Sequence, residues 1–214
     1  MDFDRVQDRI SWGQGAAARS IGSMTDAYRP CGPSDPLSPT NRFIRLHAAF
    51  STPRGGFSRA NPYGSALWYG HFDGKYTRPG DYLRQRDRLF FVAAQQDLLP
   101  ILCVETNRWL TISRPSTVPG PGGPAYGGLT ASTTIPLLTN WPASVIGAAG
   151  AGHPDAGLPT DGTVPYWTAL LPAWEGVVLS PSDLVSDDLG RNAVISASEL
   201  TALGWRLTLK QATV

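Results

Sequence analysis

The stretch from Ala66 to Pro115 most constrains what this chain can fold into. It holds four compact apolar runs: Leu67-Trp68-Tyr69, Leu89-Phe90-Phe91-Val92, Ile101-Leu102-Cys103-Val104 and Trp109-Leu110-Thr111-Ile112. Each is rich in aromatic or β-branched residues and too short for a free-standing helix. Turn signals separate them at Asp73-Gly74, Pro79-Gly80-Asp81 and Thr106-Asn107. The stretch predicts a small antiparallel sheet or barrel of four or five strands. Trp68, Phe90, Phe91, Val92, Leu102 and Val104 are its expected core.

A second copy of the pattern lies near the C-terminus. Pro79-Gly80-Asp81-Tyr82-Leu83 compares with Pro181-Ser182-Asp183-Leu184-Val185. Each is followed by a polar turn, a basic residue (Arg88, Arg191) and an apolar strand, Leu89–Ala94 or Ala193–Ala197. A further apolar strand closes each copy, at Ile101–Val104 and Trp205–Leu209. Chance alternation of turns and strands gives similar echoes, so the sequence leaves both readings open.

A length of 214 residues permits one large all-β domain or two small ones. Only 16% of residues are charged, while there are 23 Gly and 19 Pro, which favours a loop-rich β protein over a helical bundle. No run of 18 apolar residues is present, so no membrane span is expected. The acidic start Met1-Asp2-Phe3-Asp4 lacks an apolar signal core, and no secretory signal is expected.

Residues 2–22 read as the one clear helix, with Phe3, Val6, Ile10, Ala17 and Ile21 on a common face and Gly22 as a stop. Residues 1–63 are read as this helix plus an extended Pro-rich arm, since Pro30, Pro33, Pro36, Pro39, Pro53 and Pro62 exclude long regular elements. The arm is expected to cross a subunit boundary; the plainer reading is a loop wrapped on its own domain. Residues 64–114 form the central β module, 115–128 a Pro/Gly linker or loop, and 129–214 a C-terminal β module. In the last, strands are expected at 166–171, 177–179, 193–197 and 206–209, a hairpin turn at Asp188–Arg191, and a helical turn at Ser198–Gly204. The fold class is thus mainly β: small antiparallel barrel or sandwich modules, one N-terminal helix and long Pro/Gly-rich loops.

Net charge is +1, but unevenly spread. Residues 1–60 carry eight Arg and five Asp, residues 61–114 seven basic and five acidic side chains, and residues 115–214 three basic and seven acidic. A basic front and an acidic back can mate between subunits, and solvated surface charge is the plainer reading. No dense Lys/Arg cluster marks a nucleic-acid surface.

The side chains that carry chemistry are dispersed. His47, His71 and His153 lack metal-binding spacing, and so do Cys31 and Cys103. His71 and Asp73 are two apart and suit a turn better than a catalytic pair. Asp81, after Pro79-Gly80, fits an Asx turn better than a general base. Gly120-Pro121-Gly122-Gly123 has no following Lys or Ser/Thr, and Gly13-x-Gly15 has no preceding strand, so neither is a phosphate loop. No catalytic residue, cofactor or metal is expected.

Several runs carry a resemblance. Met1-Asp2-Phe3-Asp4-Arg5-Val6-Gln7 with Gly15-Ala16-Ala17-Ala18, then Pro36-Leu37-Ser38-Pro39, Tyr76-Thr77-Arg78-Pro79-Gly80-Asp81-Tyr82-Leu83, Ala94-Gln95-Gln96 and Leu99-Pro100-Ile101-Leu102-Cys103-Val104, are similar to a group of proteins of unassigned role encoded in the structural gene blocks of tailed bacteriophages and prophages. Gly80-Asp81 to Val92 also resembles head–tail connector proteins, where a short helix precedes a small β-barrel. The resemblance implies a non-enzymatic virion protein, made in the host cytoplasm. The expected role is a symmetric homo-oligomeric ring in the distal tail, between tail tube and baseplate hub. The alternatives are a connector in the neck beside the portal and, from another class, a tail-associated cell-wall hydrolase or a glycan-binding module.

Overall fold

The computed structural model describes residues 3–62, 64–115, 134–147 and 166–212. The chain is mainly β, and its strands form two closed antiparallel barrels. Helix α1 (Phe3–Ile21) leads into β1 (Ser23–Tyr28), β2 (Arg42–Ser51), β3 (Leu67–His71), β4 (Tyr82–Gln85), β5 (Arg88–Ala94) and β6 (Ile101–Glu105). These close in the order β1-β2-β3-β6-β5-β4. The second barrel comprises β7 (Arg108–Pro115), β8 (Thr134–Gly147), β9 (Tyr166–Leu171), β10 (Leu184–Asp187), β11 (Asn192–Thr201) and β12 (Gly204–Gln211), in the order β7-β8-β9-β12-β11-β10. The two orders coincide strand for strand: the second barrel repeats the first.

The repeat extends to a buried ion pair. In the first barrel Asp81, 1% exposed, accepts from Arg29 Nε at 2.9 Å and Arg29 Nη2 at 2.7 Å, and from the Arg78 amide at 2.9 Å. In the second, Asp183, 2% exposed, accepts from Arg114 Nε at 2.7 Å, Arg114 Nη2 at 2.9 Å and the Ser180 amide at 2.8 Å. The same Nη2 of each arginine also donates to a carbonyl of the following-sheet connection, Tyr76 or Val178. Each aspartate ties its turn to a long strand: Val92 N donates to Asp81 O and Ile195 N to Asp183 O, both at 2.9 Å. The residue before each aspartate has positive φ, +93° at Gly80 and +77° at Ser182. A serine is strained there, and the flanking hydrogen bonds hold it in place. Both partner strands carry an irregularity just beyond this point, at Val92/Ala94 and Ile195/Ala197.

Strands of the first barrel bury both faces. Ala27, Leu83, Phe90, Val92 and Cys103 point into the barrel with Phe50 and Phe72. Their neighbours Tyr28, Tyr82, Phe91, Ala93 and Val104 face outward and join the core of the second barrel. Alternation along a strand therefore separates two cores, which is why the sequence shows unbroken apolar runs. Phe50 stacks on Phe90 at 3.7 Å inside the barrel. Between the barrels Tyr82 packs edge-on against Phe91 and Trp141, and its hydroxyl donates to Pro142 O at 2.8 Å. Four of the six expected core residues, Phe90, Phe91, Val92 and Val104, are buried; Trp68 and Leu102 are half-buried.

The boundary between the barrels is Thr106-Asn107. Thr106 N donates to Leu89 O of the first barrel, and Asn107 exchanges hydrogen bonds with Val145 N and O of the second. The expected division at residues 63/64 and 114/115 differs from this: β1 and β2 belong to the first barrel and β7 to the second. Of the expected linker at 115–128, Pro115 ends β7 and the rest lies outside the described residues.

Within the Pro-rich stretch, the proline-free Arg42–Ser51 is a ten-residue central strand. The loop before it docks on the chain's own second barrel. Trp141 Nε1 donates to Pro33 O at 2.6 Å, Thr139 N to Pro33 O at 2.9 Å, and Asp35 N to Thr139 O at 3.0 Å. Residues 33–41 are thus an internal strap rather than an arm reaching a neighbour. Two smaller expectations also change. Residues 177–179 are a connection and not a strand, and Thr201–Gly204 is a hairpin turn, because Thr201 Oγ1 accepts from Leu203 N and donates to Gly204 O.

Phe91→Ala is expected to cost about 3–5 kcal/mol. Because the cores are joined, urea melts by tryptophan fluorescence and far-ultraviolet circular dichroism should shift together as one transition. Asp183→Asn should cost about 2–3 kcal/mol, the scale of charge-assisted hydrogen bonds lost from a partly exposed arginine. Asp81→Asn should cost about as much in the same melt.

Candidate interaction surface

Helix α1 lies across β2, β3 and the β3–β4 connection of the first barrel. Asp4 in its first turn and Arg19 in its last suit the helix dipole. The seated stripe is made of Gln7, Ser11, Gln14, Gly15 and Ala18, all buried or half-buried. Gly15 permits the close approach: a Cβ there would stand 3.0 Å from Asp73 Cβ. Polar contacts fix the helix. Gln7 Oε1 accepts from Leu98 N at 2.8 Å, Gln14 Oε1 sits 2.9 Å from His71 Nδ1, and Asp8 is 3.7 Å from Lys75 Nζ.

This stripe is rotated by about 100°, one residue, from the expected apolar face. Ala17 and Ile21 are exposed and Val6 and Ile10 only half-buried; the Phe3 side chain lies outside the described residues. The outer side of α1 carries Arg5, Arg9, Trp12, Gly13, Ala16 and Ser20. Trp12 is 71% exposed, the most exposed of the large apolar side chains described. It borders a groove of about 270 Å³ between α1 and β2, with Ile44, Leu46 and Tyr76 on its walls. Among the described residues, Arg5, Arg9 and Arg19 form no ion pair. The outer surface of α1 is therefore basic and aromatic. Sequence reasoning missed it because it assigned the helix's apolar stripe to the core.

The residues singled out for chemistry have structural partners. His71 bridges Ser51 and Gln14 and does not pair with Asp73, which caps a short 3-10 turn through Lys75 N at 3.1 Å. With Nδ1–H donating to Gln14, Nε2 accepts from the Ser51 hydroxyl at 2.8 Å, so the neutral ring satisfies both bonds. Burial holds the His71 pKa below the ordinary imidazole value. His47 borders the α1 groove, and its Nδ1 is buried without a partner among the described residues. Asp81 does build a turn, as expected of an Asx residue, and is also one half of the Arg29 pair. Cys31 is exposed and donates to Asn41 Oδ1; Cys103 is buried in the first barrel, where burial pushes its thiol up, and both are free. His153 and the glycines at 120–123 lie outside the described residues.

Among the described residues no three His, Cys, Asp or Glu side chains converge as a metal site. A cavity of about 460 Å³ between the barrels has Arg54 as the one titratable side chain among its described lining residues. No described helix is long and apolar enough to cross a membrane. Comparison with protein-family models, curated proteins and solved structures gives no match to this chain.

The His71 link sets a pH dependence. The unfolded imidazole gains its proton near pH 6.5, while the folded one does so only lower. Stability from this group is complete above that value and declines as pH falls through it toward the folded pKa. Urea melts at pH 7.5 and 5.5 should show a loss for the wild-type chain that is smaller in His71→Asn.

Proposed function

We propose that this chain is an architectural subunit of a tailed-bacteriophage virion. It assembles head to tail into a symmetric ring in the distal tail, where the tail tube meets the baseplate hub. One observation carries the architectural part: two repeated barrels pack through the Tyr82–Phe91–Trp141 seam into one block with opposite net charge on its two halves. Residues 1–107 carry 13 basic and 10 acidic side chains, residues 108–214 five and seven. Heterologous contacts between unlike ends generate rings when the rotation closes. Closed barrels expose no strand edge for augmentation, so helix and loop surfaces are what such a block offers its neighbours. The role is structural rather than catalytic: among the described residues the most buried carboxylates, Asp81 and Asp183, are both engaged by arginines. Placement in a phage tail rests on the sequence resemblance.

Negative-stain microscopy of the purified chain is expected to show closed rings, and gold-labelled antibody should mark the distal tail of virions. Label at the neck would move the ring to the head–tail junction. Absence from virions, or clearing of peptidoglycan by the purified chain, would overturn the reading.

A further inference from the structure

Arginines that lie far apart in the sequence come together on one side of the first barrel. Helix α1 contributes a stripe. Arg5, Arg9, Trp12, Ala16 and Arg19 follow one another at alternating spacings of four and three, so they share one side of the helix. Trp12, Ala16 and Arg19 line the groove against β2, and Arg5 and Arg9 extend the stripe towards the helix N-terminus, both exposed. The sheet contributes a row. Arg45 on β2 and Arg84 on β4 both stand directly opposite Asp26 on β1, and cross-strand partners project to the same side. Arg45 also lines the groove, so stripe and row meet there.

Negative charge is scarce on this surface. Arg45 Nε donates to Asp26 Oδ1 at 2.7 Å, and Arg42 Nη1 stands 3.8 Å from the same oxygen. The Arg45 hydrogen bond, joined by the charges of Arg42 and Arg84, holds the Asp26 carboxyl below its usual range. One carboxylate thus serves three guanidinium groups. Arg5, Arg9, Arg19 and Arg84 form no ion pair among the described residues. Asp73 is the one carboxylate on the groove wall, and it accepts from the Lys75 amide. Like charges gathered in this way repel, and a partner with repeated negative charge relieves the repulsion.

The groove is also aromatic. Trp12, 71% exposed, and Tyr76, 52% exposed, line it together with Ile44 and Leu46. These rings choose among anionic partners. An acidic protein segment satisfies the arginines but gives the rings no flat face to stack on. A duplex keeps its base faces stacked inside. Unpaired bases supply a face for each ring, and their phosphates supply the charge. A second copy of this chain is a poor source of charge. Among the described acidic side chains of the second barrel, Asp183, Asp187 and Glu199 are paired with arginines, which leaves Glu175 and Asp188.

We infer that the groove between α1 and β2, with the arginine row beside it, binds single-stranded nucleic acid without sequence preference. Trp12 and Tyr76 stack on bases, and the arginines hold phosphates. The site is complete in one chain and needs no ring.

Fluorescence anisotropy of a labelled oligothymidylate of about twelve nucleotides tests this on the full chain. Binding is expected at low salt, with the logarithm of the association constant falling linearly with the logarithm of salt concentration. Replacing two exposed arginines together, Arg19→Gln with Arg84→Gln, should remove two phosphate contacts and flatten that slope by about 1.4. Trp12→Ala should weaken binding roughly tenfold, the scale of one stacked base. Lys210→Gln, on the second barrel, should change neither affinity nor slope. Circular dichroism should show every variant folded. Polyglutamate and duplex DNA serve as competitors and should displace the oligonucleotide poorly. Absence of binding at low salt, equal displacement by either competitor, full affinity in Trp12→Ala, or an equal loss in Lys210→Gln overturns the assignment.

Discussion

The structure depends on one packing event: the outward face of β4, β5 and β6 lies against the second barrel. Tyr82, Phe91 and Val104 carry it, with Trp141 as their counterpart. Aromatic side chains of this size dominate the energetics of any surface they bury. The edge-on contacts of Tyr82 with Phe91 and Trp141 fix relative orientation as well as proximity. The Tyr82 hydroxyl finds Pro142 O, so the seam leaves that polar atom satisfied. From this follow the unbroken apolar runs, the short Thr106-Asn107 junction and the strap at Pro33–Asn41, which closes the seam from one side.

The repeated Arg–Asp pair does a different job. Hydrophobic burial is non-directional and does not choose among strand registers that bury similar area. A bidentate guanidinium–carboxylate pair is directional. Asp81 and Asp183 each bind an arginine just past the end of β1 or near the end of β7, and each also ties its turn to a bulged strand. The pair sets where β4 and β10 begin and so which side chains face inward. Its recurrence in barrels with otherwise unlike sequence fits a constraint on register.

Much of the fold was legible in the sequence. Apolar runs and turn signals identified β structure, and Pro-x-Asp with its following strands raised the repeat without deciding it. What stayed hidden has physical causes. Strands buried on both faces lose the alternation that would reveal which face meets which core, so Phe90 and Phe91 read alike. The seat of α1 was missed because its contacts are hydrogen bonds from Gln7 and Gln14 and the close approach of Gly15, none of which registers as hydrophobicity. The Pro-rich stretch concealed β2, since six prolines outweighed the proline-free run from Thr40 to Thr52 between them. The barrel boundary was hidden because two residues pinned on both sides look like any turn, while the Pro/Gly segment that looked like a linker follows a strand of the second barrel. For the candidate surface, Trp12 was visible as a residue, but its exposure depended on the rotation of the helix.

The order in which the strands occur along the chain has a consequence for synthesis. Every strand of the first barrel precedes residue 106, so that barrel can close while the second is still being made. Until Trp141 and the strands around it emerge, the nascent chain displays Tyr82, Phe91 and Val104 to solvent. The second barrel needs β10, beginning at Leu184, to return to β7 before it closes, a long separation of the kind that slows folding. The ribosome-bound intermediate thus exposes a sticky aromatic face for the time taken to translate tens of residues. During that interval a chaperone, or the same face on a neighbouring nascent chain, competes with the partner that the chain has yet to make.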